Sequence, residues 1–284
     1  MRKTLIAASA LALSLGLAAC GSGSGSGSAS GAGDGGGSDD TLVVGATAVP
    51  AGEVLTYIKD ELAAQAGLDL EIKEFTDYVL PNTALQEGSL DANLYQNQPY
   101  LDDFNKARGT DLVSVAKAYL PPMGVYSKKV EDVRDLADGA TVAVPADTTN
   151  EGRALKLLAS QGVITLKADA GADASPADIG ENPKNLEFKE LEPAQLPRSL
   201  DDVDAAVINN NYAQDAGLSP TKDAVLLESA KDNPYDPYAN LLAVRRGDED
   251  DPRVRKLVRL LTSAEVKKFI EDKYQGSVLP VTSG

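Results

Sequence analysis

The chain of 284 residues contains no histidine and a single cysteine, Cys20. The missing histidine removes the commonest general base and, with only one thiol present, the side chains that transition-metal sites prefer. One cysteine cannot form an intramolecular disulfide. Basic residues are scarce, because 27 lysines and arginines face 43 aspartates and glutamates, which gives a net charge of −16. So acidic a chain is a poor partner for nucleic acid or an anionic lipid surface.

Signatures of catalysis and of calcium binding are missing as well. The sequence has no G-x-S-x-G elbow and no P-loop. Asp77, Asp91 and Asp102 are candidate acids or bases, but carboxylates in so acidic a chain are usually solvated surface. Neither 232–237 nor 247–252 matches the calcium loop D-x-[DN]-x-[DN]-G. We therefore expect a protein that is not an enzyme and that needs no metal or other cofactor.

Residues 1–19 predict a signal peptide. Arg2 and Lys3 precede an apolar run at 5–17 that is too short to span a bilayer. The run ends in small residues directly before Cys20, which resembles the lipobox of bacterial lipoproteins and predicts lipidation of that cysteine. A plain signal peptide with an incidental cysteine is the alternative. Acylation with more than one chain, such as palmitate, would hold the protein stably on a membrane.

Residues 20–41 carry the predicted lipidated cysteine followed by glycine and serine. They offer almost nothing to bury, so they predict a flexible tether with a reach of roughly 25 Å. The folded part starts near Leu42 and has about 240 residues, enough for one large or two ordinary domains. No later apolar run has membrane length.

The folded part begins as an alternation of strands and helices. Short β-branched or alternating runs predict strands at 41–48, 70–75 and 92–96. The segments between and after them predict helices, of which the third starts at Pro99 and ends at Gly109. The order βαβαβα predicts a parallel sheet covered by helices.

A proline-interrupted stretch at 112–129 breaks this rhythm and predicts a crossing into a second α/β series. There, Thr148 and Glu151 stand in capping-box spacing and predict the start of a helix. Extended segments at 225–230 and 238–247 predict a second crossing, which returns the chain to the first α/β series.

The last helical pattern starts with Asp251 as N-cap and Pro252 as first helical residue. It predicts one long terminal helix. Its buried stripe is predicted to comprise Val254, Leu257, Val258, Leu261, Val266, Phe269 and Ile270.

Two α/β lobes joined by two crossings predict a clamp that closes on a ligand, with a periplasmic-binding-protein-like fold of type II. We expect residues 42–122 and 225–284 to form the first lobe and residues 123–224 to form the second. A lipid anchor and a tether suit such a receptor on an outward membrane face.

Seven motifs spread along the folded part occur in one order. They are VGATAVP, EFTDYVLPNTAL, LDANLYQNQPYL, PMGVYSKK, NEGRALKLL, ENPKNLEFKELEPAQLPRSLDDVDAAVIN and PYANLLAVRRGDEDDPRV. Over residues 41–283 the chain resembles the NlpA/MetQ family of methionine-binding lipoproteins that serve ABC importers. The resemblance implies a monomeric receptor, anchored on the extracytoplasmic face of the cell membrane. It would bind L-methionine between its lobes and present it to a permease and its ATPase.

The resemblance also implies a site for a free amino acid, which offers a carboxylate, an ammonium and a side chain. The family has its carboxylate-binding arginine at Arg153, whose place near a helix start suits a bidentate grip on an anion. Asn209 and Asn240 match the family's asparagines for the amino-acid backbone, and amide oxygens accept hydrogen bonds from an ammonium. Asn210 and Asn211 are interpreted instead as a turn after the strand.

The family furnishes an aromatic wall for the methionine thioether at Tyr78, Tyr95 and Tyr100, and aromatic edges suit a polarizable sulfur. Simple packing at the core rim is the alternative. Many members have histidine where this chain has Asn97 and Tyr119, so we expect these two to contact the ligand side chain. Their identity leaves open D-methionine, a methionine-containing dipeptide or another neutral amino acid. A surface adhesin and a metal-binding lipoprotein are the alternatives from other classes.

Overall fold

The computed structural model describes residues 40–229 and 237–281. The predicted signal peptide, the lipidation site Cys20 and nearly all of the tether lie outside these residues. Among the helices that are described, none is long and apolar enough to cross a membrane.

Strands and helices alternate along the described chain, as its hydrophobic pattern predicts. The strands are β1 (Thr41–Thr47), β2 (Asp69–Phe75), β3 (Ala92–Gln96), β4 (Leu112–Leu120), β5 (Gly124–Tyr126), β6 (Thr141–Pro145), β7 (Thr165–Leu166), β8 (Ile179–Glu181), β9 (Glu187–Leu191), β10 (Ala205–Ile208), β11 (Ala224–Leu227), β12 (Asn240–Arg245) and β13 (Leu279–Pro280). The α-helices are α1 (Glu53–Tyr57), α2 (Leu80–Gln86), α3 (Gln98–Arg108), α4 (Thr148–Ser160), α5 (Asn210–Asp215), α6 (Pro220–Asp223), α7 (Pro252–Leu261) and α8 (Ala264–Tyr274). Wider π-type turns flank α1 at Ala48–Gly52 and Ile58–Ala63, and 3₁₀ turns occur at Val133–Asp135, Pro176–Asp178 and Pro193–Asp201.

Six strands form the first sheet, in the order β13-β4-β12-β3-β1-β2. Strand β1 is parallel to β2 and β3, as the βαβ alternation predicts. Strand β12 is antiparallel to β3 and β4, and β13 is antiparallel to β4. The sheet is therefore mixed, whereas the sequence predicted a parallel one. The difference arises because β12 returns from the other half of the molecule and enters the sheet in the opposite direction.

Helices cover both faces of this first sheet. Apolar residues of α1, α7 and α8, such as Leu55, Leu257 and Ile270, pack with β1 in one core. Leu85 of α2 and Leu101 of α3 belong to a second cluster that also includes residues of β12. We call the six-stranded sheet with these helices the first lobe.

Five strands form the second sheet, in the order β11-β5-β10-β6-β9. Strand β6 is parallel to β9 and β10, and β5 is antiparallel to β10 and β11. Helix α4 packs Leu155 and Leu158 against β6. The 3₁₀ turn at Pro193–Asp201 and helix α5 pack with Ile208 of β10 in a separate cluster. We call this sheet with these helices the second lobe, and the predicted α/β class is confirmed.

The two lobes are connected by chain segments close to the predicted ones. The first crossing runs from β4 to β5 through residues 121–123. The return does not begin at residue 225, because 225–227 belong to β11, which pairs with β5 in the second sheet. An exposed edge of β5 would leave backbone groups unpaired, and β11 satisfies them.

Two helix boundaries differ from the predictions. Helix α4 is capped by Asp147, whose carboxylate accepts from the Asn150 amide at 3.0 Å, so Thr148 is already helical and the predicted capping box is absent there. The predicted terminal helix is divided into α7 and α8, because the Ser263 hydroxyl accepts from the Val266 amide at 3.2 Å and starts a new helix. The predicted stripe faces the core in both helices, with Val258 and Phe269 only partly buried.

Candidate functional site

A cavity lies between the lobes, where the ends of β3, β10 and β12 meet the start of α4. It contains about 350 Å³ of space not filled by atoms, part of it open to solvent. The residues that line it are Tyr78, Tyr95, Gln96, Asn97, Tyr100, Pro121, Asn150, Arg153, Asn209, Asn210, Asn211 and Asn240. Every predicted ligand residue except Tyr119 is among them.

Three tyrosines of the first lobe form one side of the cavity, which we call the aromatic wall: Tyr78, Tyr95 and Tyr100. Their ring centroids lie 5.8 to 6.1 Å apart. The Tyr95 and Tyr100 hydroxyls donate to the Tyr78 carbonyl at 2.8 and 3.0 Å. Burial raises the pKa of all three hydroxyls well above the usual range, so they remain neutral donors at physiological pH. The wall presents polarizable faces without charge.

A buried network of amide side chains connects α2 with β3, the strand that contains Tyr95. The Asn82 and Gln96 side chains bond to each other in both directions at 2.7 Å. Asn93 donates to Asn82 at 2.8 Å and accepts from Gln96 at 3.0 Å. All three amides are almost completely buried, so a satisfied network of this kind holds α2 and β3 in one arrangement. Sequence reasoning missed Asn82 and Gln96; the clustering of amides in LDANLYQNQPYL was a signal for Gln96, whereas Asn82 precedes that segment.

Asn97 lies at the cavity, and its side chain also shapes the backbone there. It caps α3, and its amide oxygen accepts from the Tyr100 backbone N–H at 3.0 Å. The cap fixes the start of the helix and thereby the position of the Tyr100 ring. Asn97 therefore has a positioning function in addition to any contact with a ligand.

Tyr119 does not line the cavity, which differs from the expectation that it contacts the ligand. Strand pairing sets Tyr119 opposite Asn240, and its ring is fully buried in the core of the first lobe. Its hydroxyl accepts from the Asn240 amide at 3.4 Å. Asn240, which does line the cavity, also donates to the Tyr95 carbonyl at 2.9 Å. Tyr119 thus lies one layer behind the site.

Arg153 is only 3% exposed, and its guanidinium is already paired with a carboxylate. Its Nε donates to Glu228 at 3.0 Å, and its Nη2 donates to the other oxygen of Glu228 and to the Pro121 carbonyl at 3.1 Å. The guanidinium carbon lies 4.4 Å from the centre of the Tyr238 ring. A buried guanidinium needs such a countercharge. The expected bidentate grip on a ligand is therefore made to Glu228 instead.

One nitrogen of Arg153 remains for a ligand. Within residues 40–229 and 237–281, Nη1 makes no hydrogen bond, and the arginine lines the cavity. Neighbouring Gly152 allows α4 to approach the backbone of Ala172, because an added Cβ would lie 2.1 Å from that carbonyl oxygen. Close packing therefore determines where the start of α4 presents Arg153.

Amides continue this second side of the cavity, which we call the polar wall: Asn150, Arg153, Asn209 and Asn211. Asn209 donates to the Asn150 amide oxygen at 2.9 Å. The Asn209 Oδ1 atom is buried and has no hydrogen-bond partner among the described residues. The polar wall therefore presents an acceptor at Asn209 and a donor at Arg153.

Asn210 and Asn211 do not form a turn, as the sequence suggested, but begin α5. Asn210 donates to the Pro122 carbonyl at 3.1 Å and to the Ser277 carbonyl at 2.7 Å, which ties the second lobe to the first crossing and to the C-terminal part. Asn211 accepts from the Tyr78 hydroxyl across the cavity. These contacts are long-range in sequence, so no local pattern indicated them.

The chemistry of the cavity suits a small zwitterion with an apolar side chain. Arg153 provides a positive donor, Asn209 an amide acceptor, and the aromatic wall a polarizable surface. Elsewhere in the described ranges, no group of three or more carboxylate, thiol or imidazole side chains is arranged to hold a metal ion.

Known proteins are similar to this chain in sequence and in architecture. The family model described as NlpA lipoprotein matches residues 42–282. The D-methionine-binding lipoprotein MetQ of Salmonella typhimurium is 45% identical over 240 residues, which cover 84% of this chain and 86% of that protein. The methionine-binding lipoprotein MetQ of Bacillus subtilis is 41% identical over 246 residues, covering 85% and 88%.

Solved structures agree with these sequence relatives. The structure of a nutrient-binding protein from Burkholderia cenocepacia, bound to methionine, is 51% identical to this chain. It superimposes with a TM-score of 0.81 and covers 85% of this chain and 100% of the other.

Proposed function

The chain belongs to the NlpA lipoprotein family, and we propose that it is a lipid-anchored substrate-binding protein that captures L-methionine for an ABC importer. One observation carries the proposal. Arg153, whose Nη1 makes no hydrogen bond among the described residues, and Asn209, whose buried Oδ1 has no partner there, line the same cavity as the aromatic wall.

Each part of the ligand has a chemical partner in this arrangement. The carboxylate accepts from Nη1 of Arg153, a charge-assisted hydrogen bond in a buried setting. The ammonium donates to Asn209 Oδ1. The thioether lies against the aromatic wall, where sulfur and ring edges attract each other. Methionine is therefore held by charge at one end and by packing at the other.

Hydrogen bonds between the lobes suit a clamp that closes on its ligand. The Tyr78 hydroxyl donates to Asn211, and the Tyr212 hydroxyl donates to the Thr76 carbonyl at 3.2 Å. Both bonds join the first lobe to the second. A ligand that contacts both walls stabilises the closed form over the open one, and this difference lets a permease recognise the loaded receptor.

The remaining parts of the proposal concern location and partners. Cys20 carries the lipid, the tether gives the lobes reach, and the protein works as a monomer on the extracytoplasmic face of the membrane. Its partners are the permease of the importer and the ATPase that drives it. The ligand leaves unchanged, because no catalytic step is part of this function.

Calorimetry on the purified protein tests the proposal after bound ligand has been removed by unfolding and refolding. We expect one-to-one binding of L-methionine, and loss of that binding in Arg153→Ala. Arg134→Ala is the matched control, because Arg134 is an exposed arginine that pairs with Asp132. Binding of methionine that survives in Arg153→Ala would contradict the assigned site.

D-methionine is a second candidate ligand, because relatives such as the Salmonella protein are named for it. The same titration therefore includes D-methionine, glycyl-methionine and a panel of neutral amino acids. If neither L-methionine nor D-methionine binds but another member of the panel does, the protein would still be a clamp-type receptor, and its substrate would be that other compound.

A further inference from the structure

We infer that Asp147 is a positioning residue that makes the site select ligands with a free ammonium group. This inference rests on the proposed function, since it concerns the same cavity. Asp147 was not among the predicted site residues, and it does not line the cavity itself. It acts through two amides that connect it to the ligand.

A chain of hydrogen bonds runs from Asp147 to the cavity. Asp147 Oδ1 accepts from the Asn150 backbone N–H at 3.0 Å and from the Asn150 side-chain amide at 2.8 Å. The oxygen of that amide accepts from the Asn209 side-chain amide at 2.9 Å. Asn209 lines the cavity, and its buried side-chain oxygen has no partner among the described residues.

The carboxylate determines the direction of this chain. An ionised carboxylate only accepts hydrogen bonds, so the NH₂ group of Asn150 must turn toward Asp147. The Asn150 oxygen must then face Asn209 and accept from its NH₂ group. The Asn209 oxygen, by elimination, points into the cavity. Without Asp147, either amide is free to reverse, and the cavity would present a donor as readily as an acceptor.

The negative charge of the buried Asp147 carboxylate has an effect beyond setting the direction of the hydrogen bonds. Its second oxygen, Oδ2, is out of contact with solvent and has no partner within the described part of the chain. Burial raises the pKa of the Asp147 carboxyl, and the hydrogen bonds from Asn150 oppose that rise. A buried anion is stabilised by a cation brought close to it. The ligand's ammonium is such a cation, and the guanidinium of Arg153 is already paired with Glu228.

A purely structural function predicts a different outcome. Asp147 also caps α4, so its loss disturbs the helix that carries Arg153. A lost cap weakens binding of every ligand that uses Arg153. A lost positioning residue weakens binding only of ligands that carry the ammonium.

Two ligands that differ only in the ammonium separate these functions: L-methionine and 4-(methylsulfanyl)butanoate. Calorimetry on the purified protein compares wild type with Asp147→Asn, which retains the size of the side chain and loses its charge. Asp147→Ser serves as the second variant if the first does not fold, because serine is also a good helix cap. Asp251→Asn is the matched control, since Asp251 caps α7 in the first lobe, outside the cavity.

We expect wild type to bind methionine more tightly than the butanoate. Asp147→Asn should weaken the affinity for methionine roughly 10- to 100-fold, which is the range for a hydrogen bond to a charged group. The butanoate should bind both proteins equally, and Asp251→Asn should retain the wild-type preference. Equal weakening of both ligands in Asp147→Asn would overturn the inference and leave the proposed function intact. A wild-type protein that binds no methionine would instead overturn the proposed function and the inference with it.

Discussion

The aromatic wall and the polar wall face one cavity, yet different interactions hold their side chains in place. The aromatic wall belongs to a single lobe, and two of its hydroxyls share one carbonyl, that of Tyr78. The polar wall depends on partners far away in sequence, such as Glu228, which lies 75 residues after Arg153. The first wall is neutral and is held by bonds among its own tyrosines and by one bond from Tyr78 to Asn211, whereas the second contains buried charge whose loss leaves its partner uncompensated. We therefore expect the polar wall to be more sensitive to single substitutions and to pH.

The largest effect should follow from removing the countercharge of the polar wall. Glu228→Gln leaves the Arg153 guanidinium buried without an anion, and breaking a buried ion pair costs about 3 to 5 kcal/mol. Urea unfolding should show this loss in the free energy of unfolding.

An exposed ion pair provides the matched control for that experiment. Lys128 and Asp201 lie 2.6 Å apart, with their side chains 57% and 78% exposed. Asp201→Asn should change the free energy of unfolding by less than about 1 kcal/mol. Equal losses in the two variants would show that the buried charge is no more important than a surface one.

An intermediate effect should depend on pH and come from Glu151, two residues before Arg153. Burial, followed by the neighbouring Glu190 carboxylate, raises the pKa of Glu151 from 4.5 to about 7. The folded protein therefore binds this proton more tightly than the unfolded chain. The associated stability is complete below pH 4.5 and is lost as the pH rises through about 7.

Glu151→Gln mimics the protonated form and should remove this pH dependence. We expect the variant to be more stable than wild type by about 1 to 2 kcal/mol at pH 8.5, and equally stable at pH 4. Thermal unfolding across this range measures the difference, with Glu187→Gln as the exposed control. A variant that is destabilised equally at both pH values would contradict the assignment.

The smallest effect should come from Tyr119, behind the first-lobe side of the cavity. Tyr119→Phe removes a hydroxyl 3.4 Å from the Asn240 amide, which retains its bond to the Tyr95 carbonyl. Methionine affinity should change by less than about threefold, because a single weak hydrogen bond one layer from the ligand is lost. Calorimetry beside the control Tyr57→Phe checks this. A loss of tenfold or more would show direct contact between Tyr119 and the ligand.

Much of the cavity was predictable because its residues lie at the ends of predicted elements. Tyr95 is the last residue but one of β3, Asn97 caps the start of α3, and Asn209 directly follows β10. The carboxyl ends of parallel strands gather at one edge of a sheet, so residues there meet. Tyr119 lies inside a strand, where pairing with β12 places its ring in the core and away from the cavity lining.

Local patterns in the sequence predicted the alternation of strands and helices and the side chains at most element ends, while the signal peptide and the tether stay predictions. These features depend on local patterns of polarity, spacing and capping. The packing of the two lobes brings Arg153 to Glu228 and Tyr78 to Asn211, and it connects Asp147 through Asn150 to the Asn209 amide. Arg153 and Glu228 are 75 residues apart, and Tyr78 and Asn211 are 133 residues apart. Asn150, the intermediate between Asp147 and Asn209, is 59 residues from Asn209. Their contact follows from the packing of two lobes, which no local pattern encodes.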